Sequence, residues 1–174
     1  MAREIRQTRP FSSPARQLAV TLMRTGEVMR HAVESALRPR GVSPEQYNVL
    51  RILRGAEAPG VPCLEIAQRM IARSPNITRM MDKMVAKGLA RRQRVEGDRR
   101  VVLISITADG RRLLGDLDGA VEAVLGRLSS MKPAQLAELV ALLDEVRERL
   151  ATPTARESAG RKRVQAVSTA EEEA

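Results

Sequence analysis

Aromatic side chains are almost missing from this sequence: its 174 residues include one Phe, one Tyr and no Trp. Proteins that grip single-stranded nucleic acid stack bases on aromatic platforms, so that class of binder is disfavoured. Cysteine and histidine occur once each, as Cys63 and His31. One cysteine cannot close a disulfide within a chain, and one Cys with one His cannot build a zinc site from a single chain. The same scarcity argues against an enzyme. A nucleophile needs an adjacent base, and nothing in the spacing of His31 and Cys63 unites them. Gly-rich phosphate loops and metal-ligand clusters are missing too, so neither cofactor nor metal is expected. No apolar run approaches the ~20 residues that span a bilayer. The opening MAREIRQTRP lacks the apolar stretch of a signal peptide. The expectation is a cytoplasmic protein with no membrane partner.

Positive charge is what the chain has in plenty. Lys and Arg total 30 against 21 Asp and Glu, a formal charge of +9, and Arg supplies 26 of the 30. The excess is concentrated. Residues 69–100 carry ten cations against three anions, while residues 107–150 are net negative. Arg69, Arg73, Arg79, Lys83, Lys87, Arg91, Arg92, Arg94, Arg99 and Arg100 make up that block. Such clustering is the footprint of a polyanion site, for which nucleic acid is the usual occupant. A solvated Arg-rich face would look the same by charge alone. The apolar pattern beneath the charge separates the two.

Residues 1–12 are polar and basic and read as a flexible segment. Leu18, Leu22, Met29, Val33 and Leu37 recur near helical spacing, which predicts one long helix from Pro14 to about Arg38, stopped by Pro39 and Gly41. Ser43-Pro44-Glu45-Gln46 is a helix start with a capping box, followed by Tyr47, Val49, Leu50, Ile52 and Leu53. Pro62 opens a short helix, Cys63 to about Met70, with Leu64, Ile66, Ala67 and Met70 expected inward. After a tight turn, Ser74-Pro75 opens a second helix to Lys87, with Ile77, Met80, Met81, Met84 and Val85 on its apolar face and Gly88 at its end. These methionines read as core packing.

Two short helices joined by a tight turn, the second carrying the charge, form a helix-turn-helix. Leu89–Val95, the turn at Glu96-Gly97-Asp98 and the β-branched run Val101–Ile106 read as a β-hairpin. A helix-turn-helix followed by a basic hairpin is a winged helix. The expected fold is mostly α: a winged helix-turn-helix over 43–106, with a two-stranded β-wing, flanked by helices at 13–42 and 107–150. Thr107 caps the first C-terminal helix and Pro133 opens the last, where Leu136, Leu139, Val140, Leu143, Val146 and Leu150 form a stripe. Residues 151–174 lack a stripe and read as a disordered tail.

An α-helix fits the DNA major groove, its early residues reaching base edges and its later basic ones meeting phosphates. Opposite the Met stripe stand Asn76, Arg79, Lys83 and Lys87, with Ser74 at the helix start. Arg79 suits a bidentate contact to guanine, Asn76 an adenine or a phosphate, and Ser74 with the helix N-terminus a phosphate. In the wing, Arg94, Asp98, Arg99 and Arg100 surround the tip. A thin basic β-ribbon suits the minor groove, whose negative potential attracts Arg. Asp98 can lock a guanidinium in a bidentate pair, or simply favour the turn after Gly97.

Asn76-Ile77, Arg79, Met84-Val85, Gly88-Leu89, Asp98-Arg99-Arg100, Thr107 and Gly110 follow one another in an order and spacing that resembles the multiple antibiotic resistance regulator (MarR) family of bacterial transcription factors. The resemblance covers roughly residues 14–150. Two positions depart from it: Ala90 stands where the family has a larger apolar residue, and Lys132 where a capping Ser would precede Pro133. The resemblance implies a homodimer whose flanking helices intertwine into a dimerisation lobe, so that 13–150 form one MarR-like domain. It implies double-stranded DNA as partner, with two winged helices on a pseudo-palindrome. It also implies that Arg100 enters the minor groove, oriented by Asp98. Many members are repressors released by a small aromatic or phenolic effector, in a pocket between the dimerisation and DNA-binding lobes.

His31 and Tyr47 are the candidates for such a pocket. The plainer readings are a partly buried packing histidine and a tyrosine at a helix edge with its hydroxyl in water. Cys63 reads as a small, quiet helix-start residue. A helical dimer module that binds only another protein is the alternative function; it would explain the stripes but not the basic wing.

Overall fold

The computed structural model describes residues 8–72, 76–95 and 98–151; of residues 95 and 98–101 only the backbone is considered. The elements run α1 (Pro14–Leu37), a 3-10 turn (Arg38–Arg40), α2 (Pro44–Arg54), β1 (Val61–Pro62), α3 (Cys63–Arg69), α4 (Ile77–Ala86), β2 (Ala90–Val95), β3 (Asp98–Ile106), α5 (Ala108–Leu125), a second 3-10 turn (Gly126–Ser130) and α6 (Pro133–Leu150). The chain divides into two compact units, Met1–Arg127 and Leu128–Ala174. Most of the expected flexible ends, 1–12 and 151–174, lie outside the described residues.

Local sequence explains where the helices begin. At α2 the Ser43 hydroxyl accepts from the Gln46 backbone N–H at 3.2 Å, and the Gln46 side chain accepts from the Ser43 N–H at 3.0 Å. Two otherwise orphaned donors are thereby satisfied. Thr107 caps α5 by accepting from the Gly110 N–H at 3.0 Å. At α6, Lys132 is a poor cap, since an ammonium cannot accept; the Gln135 side chain instead accepts from the Lys132 backbone N–H at 3.0 Å.

The core lies in the first unit. Leu37, Val49, Leu50, Ile66, Met81, Met84, Leu114 and Leu117 are wholly buried, joined by Leu53, Ala90, Ile104 and Val121. It draws on one face each of α2, α4 and α5, Ile66 of α3, the start of β2, the inner side of β3 and the end of α1. Ala90 is buried opposite Ile106 in the sheet.

The two wing strands pair as expected, β2 with β3. The sheet also gains a third strand, giving the antiparallel order β1–β3–β2, because Val61 and Pro62 pair with Ile104 and Leu103. A two-residue strand is too short to show alternation in sequence. Leu64, expected inward, is 71% exposed, while Cys63 is partly covered. Ile66 and Met70 are buried and Ala67 is partly covered, as expected, so Leu64 is the departure: over the seven residues of α3, periodicity does not fix the facing of every position.

Candidate nucleic-acid interface

The helix that carries the charge is shorter than its sequence pattern. α4 begins at Ile77, with Asn76 as its N-cap residue and Lys87 as its C-cap residue. Ser74 lies outside the described residues. Met81 and Met84 hold α4 on the core, with Ile77, Met80 and Val85 packed beside them. That anchoring leaves Asn76, Arg79, Asp82, Lys83 and Lys87 exposed. Arg79 and Lys83, one turn apart, share an outward face, as the spacing predicts. Lys87, exposed at the helix end, also donates its ammonium to the Gly41 carbonyl oxygen at 3.4 Å.

The wing is fixed to the end of α4 by a tight joint. Gly88 adopts φ +70°, its N–H donates to the Val85 carbonyl and the Leu89 N–H to the Met84 carbonyl, each at 2.9 Å. This is a Schellman closure, which favours glycine at the left-handed position. The Thr107 hydroxyl donates to the Gly88 carbonyl at 2.6 Å, and its N–H to the Leu89 carbonyl at 3.2 Å. A Cβ on Gly110 would overlap the Leu89 carbonyl oxygen. The signature residues Gly88, Leu89, Thr107 and Gly110 are thus one junction, where the charged helix, the wing and α5 meet.

Along the wing, Ala90 pairs with Ile106, Arg91 with Ser105, Arg92 with Ile104 and Arg94 with Val102. The register then slips to Val95 opposite Asp98, leaving residues 99–101 between the two registers. Arg91, Arg92 and Arg94 are exposed, and the Arg91 guanidinium donates to the Ser105 hydroxyl at 3.0 Å. Asp98, Arg99 and Arg100 lie on β3 at the wing tip, their side chains outside the described residues, so the expected Asp98 pairing stays an expectation.

Sequence reasoning missed four contacts. Asp82 of α4 pairs with Arg92 of β2 at 2.6 Å. A single acid on a helix otherwise charged with cations was the available signal. The Asn48 side chain accepts from the Ile71 N–H at 2.9 Å, tying the turn after α3 to α2. Asp118 of α5 accepts from the Tyr47 hydroxyl at 2.7 Å and pairs with Arg54. No periodicity announces contacts 71 and 64 residues apart.

The Tyr47 contact corrects its expected setting. Tyr47 is 7% exposed, its hydroxyl is bound to Asp118, and the Arg51 guanidinium lies 5.9 Å from its ring centroid. Burial, aided by the Asp118 carboxylate, pushes the phenol up to about 12. Burial works against ionisation of Asp118, but Tyr47 and Arg54 outweigh it and hold that carboxyl below its ordinary value. His31, expected partly buried, is exposed. It lines a cleft of about 450 Å3 with Arg24, Glu27, Val28, Ala32, Ser35 and Arg127. Tyr47 is not among those residues, so the two pocket candidates are not brought together there. Cys63 is a free thiol of intermediate exposure at the start of α3. Among the described residues no group of three or more His, Cys, Asp or Glu could hold a metal, and no helix is long and apolar enough to cross a membrane.

A helix-turn-helix followed by a β-wing, with an exposed basic face on both, defines a winged-helix protein. The MarR family model matches residues 42–102. A MarR transcription factor from Planctomyces limnophilus is 34% identical, with TM-score 0.57 over 78% of this chain and 98% of that one. The transcriptional repressor CouR, in a structure bound to a 23-mer DNA duplex, is 27% identical, with TM-score 0.66 over 74% of this chain and 91% of that one. The homoprotocatechuate degradative operon repressor of Escherichia coli is 24% identical over 129 residues, 74% of this chain and 86% of its own. The chain belongs to the MarR family of transcription regulators. That family consists of regulators and not enzymes.

Proposed function

We propose that this chain is a sequence-specific repressor that binds double-stranded DNA as a homodimer and releases it on binding a small effector, in the cytoplasm. The observation that carries the reading is the outward face of α4, where Arg79 and Lys83 stand exposed beside the basic strand β2. Arg79 reads a base in the major groove and Lys83 meets phosphate, with Ser74 and Asn76 at the helix start and Lys87 at its end as further contacts. The wing residues Arg94, Asp98, Arg99 and Arg100 address the adjacent minor groove, Arg100 as the inserted side chain and Asp98 as its orienting partner. Half-site centres lie about 10–10.5 base pairs apart, as two dyad-related helices require. The effector is a small aromatic or phenolic molecule. His31, on its cleft, is the retained candidate for contacting it, while the buried and bonded Tyr47 supports the packing role.

The test is a titration of the purified protein against the DNA upstream of its own gene, with random duplex as competitor. Tight, specific binding that weakens on the order of a thousandfold between about 50 and 200 mM salt is expected. Weak binding indifferent to sequence would contradict the reading and favour a protein-interaction module. Arg79→Ala lowers the preference for operator over random duplex by about 1–3 kcal/mol per half-site, whereas a phosphate-only role would lower both affinities equally.

A further inference from the structure

Asp82 is an anion on the helix proposed to enter the major groove, a place where a carboxylate repels phosphate. Its partner explains its presence. The Asp82 carboxylate meets the Arg92 guanidinium at 2.6 Å, across from α4 to β2. The sheet register makes the reach intelligible. Ala90 and Arg92 share one face of β2 and oppose Ile106 and Ile104, which are buried. Arg92 is therefore the first charged residue past the edge of the core on the inner face of the wing. There it meets the outward side of α4.

The joint at Gly88, Leu89 and Thr107 fixes only the root of the wing. Farther along, among the described contacts, Asp82–Arg92 is the ion pair between α4 and the wing. Both side chains are substantially exposed, 54% for Asp82 and 38% for Arg92. An exposed pair of this kind contributes little to folding. Its use lies in geometry: a charge-assisted bond holds two elements that must enter two neighbouring grooves together.

We propose that Asp82, through Arg92, is a positioning residue for DNA recognition, a strut that sets the wing relative to the recognition helix. This rests on the DNA-binding reading above. Asp82→Asn gives the strut and plain electrostatics opposite signs. Removing a negative charge beside phosphate tightens binding if charge is all that matters. Loosening the wing weakens it.

The probe is the duplex that the wild-type protein enriches from a randomised pool. On it, Asp82→Asn weakens binding roughly fivefold or more. The exchange Asp82→Arg with Arg92→Asp, which keeps the net charge and restores the pair, recovers most of that loss. The thermal midpoint of Asp82→Asn stays within about 2 °C of wild type, which separates positioning from folding. Unchanged or tighter binding by Asp82→Asn would overturn the strut. So would an exchange variant no better than the single one. Failure of the wild-type protein to enrich any sequence would overturn the DNA-binding reading beneath it, a result distinguishable from both.

Discussion

Met81 and Met84 of α4 are wholly buried, whereas Leu139, Val140 and Leu142 of α6 are 46%, 57% and 53% exposed. α6 has no buried residue in its 18, and α1 buries only Leu37 in 24. Leu18, Met23 and Val28 of α1 are likewise exposed. The winged helix closes its core within one chain, drawing on α5 and the end of α1. The long flanking helices do not cover their apolar residues in the same way. An amphipathic helix is stabilised mainly by packing its apolar face, so these stripes call for a cover that the described residues of one chain do not provide. In the proposed dimer a second copy supplies it. On that proposal, one region is a reading surface and the other a pairing surface.

The comparison is broken most severely inside the core. Met84→Ala removes a wholly buried side chain and costs about 2–5 kcal/mol in urea unfolding, while leaving the surface of α6 untouched. A loss below about 1 kcal/mol would mean that the winged helix is not the closed region described here.

Tyr47 sharpens the comparison at the seam between the winged helix and α5. Tyr47→Phe keeps the ring and deletes the hydroxyl that donates to Asp118, for a loss of about 1–2 kcal/mol. The sign of its pH dependence follows from the raised phenol. The unfolded chain releases the Tyr47 proton near pH 10 and the folded chain near 12, so stability present below pH 10 is lost as pH rises between those values. Urea midpoints measured from pH 9 to 12 should show that Tyr47→Phe removes this component of the decline. An identical decline in both proteins would sink the assignment.

The smallest effect on folding falls on α6. Leu142→Asp and Val140→Asp alter exposed positions, and each changes the stability of the winged helix by no more than about 0.5 kcal/mol. Their effect appears in association: sedimentation should show monomers where the wild type shows dimers. Dimers that persist unchanged would remove α6 from the pairing surface.

The residues whose reasons are local were legible in the sequence. Ser43 and Gln46 form the expected box, Thr107 caps α5, and Gly88 ends α4 with positive φ. The Met stripe follows from helical period, and the wing strands from a β-branched run beside turn residues. Facing was harder where an element is short, as with Leu64 on α3 and the two-residue β1. Lys87 illustrates another limit: its place on the charged block was clear, but not its bond to Gly41. Asp82–Arg92 and Tyr47–Asp118 join separate elements through single polar contacts, which leave no periodic trace. Even so, a lone acid on a helix charged with Arg79, Lys83 and Lys87 was a question worth asking of the sequence.

The most direct test of the central claim is the mass of protein on one operator duplex, measured by sedimentation equilibrium with the protein alone as reference. The account predicts a dimer free in solution and the same two chains on a single duplex holding both half-sites. A lone chain bound with full affinity to one half-site would contradict it, because the flanking helices would then have no part in reading DNA.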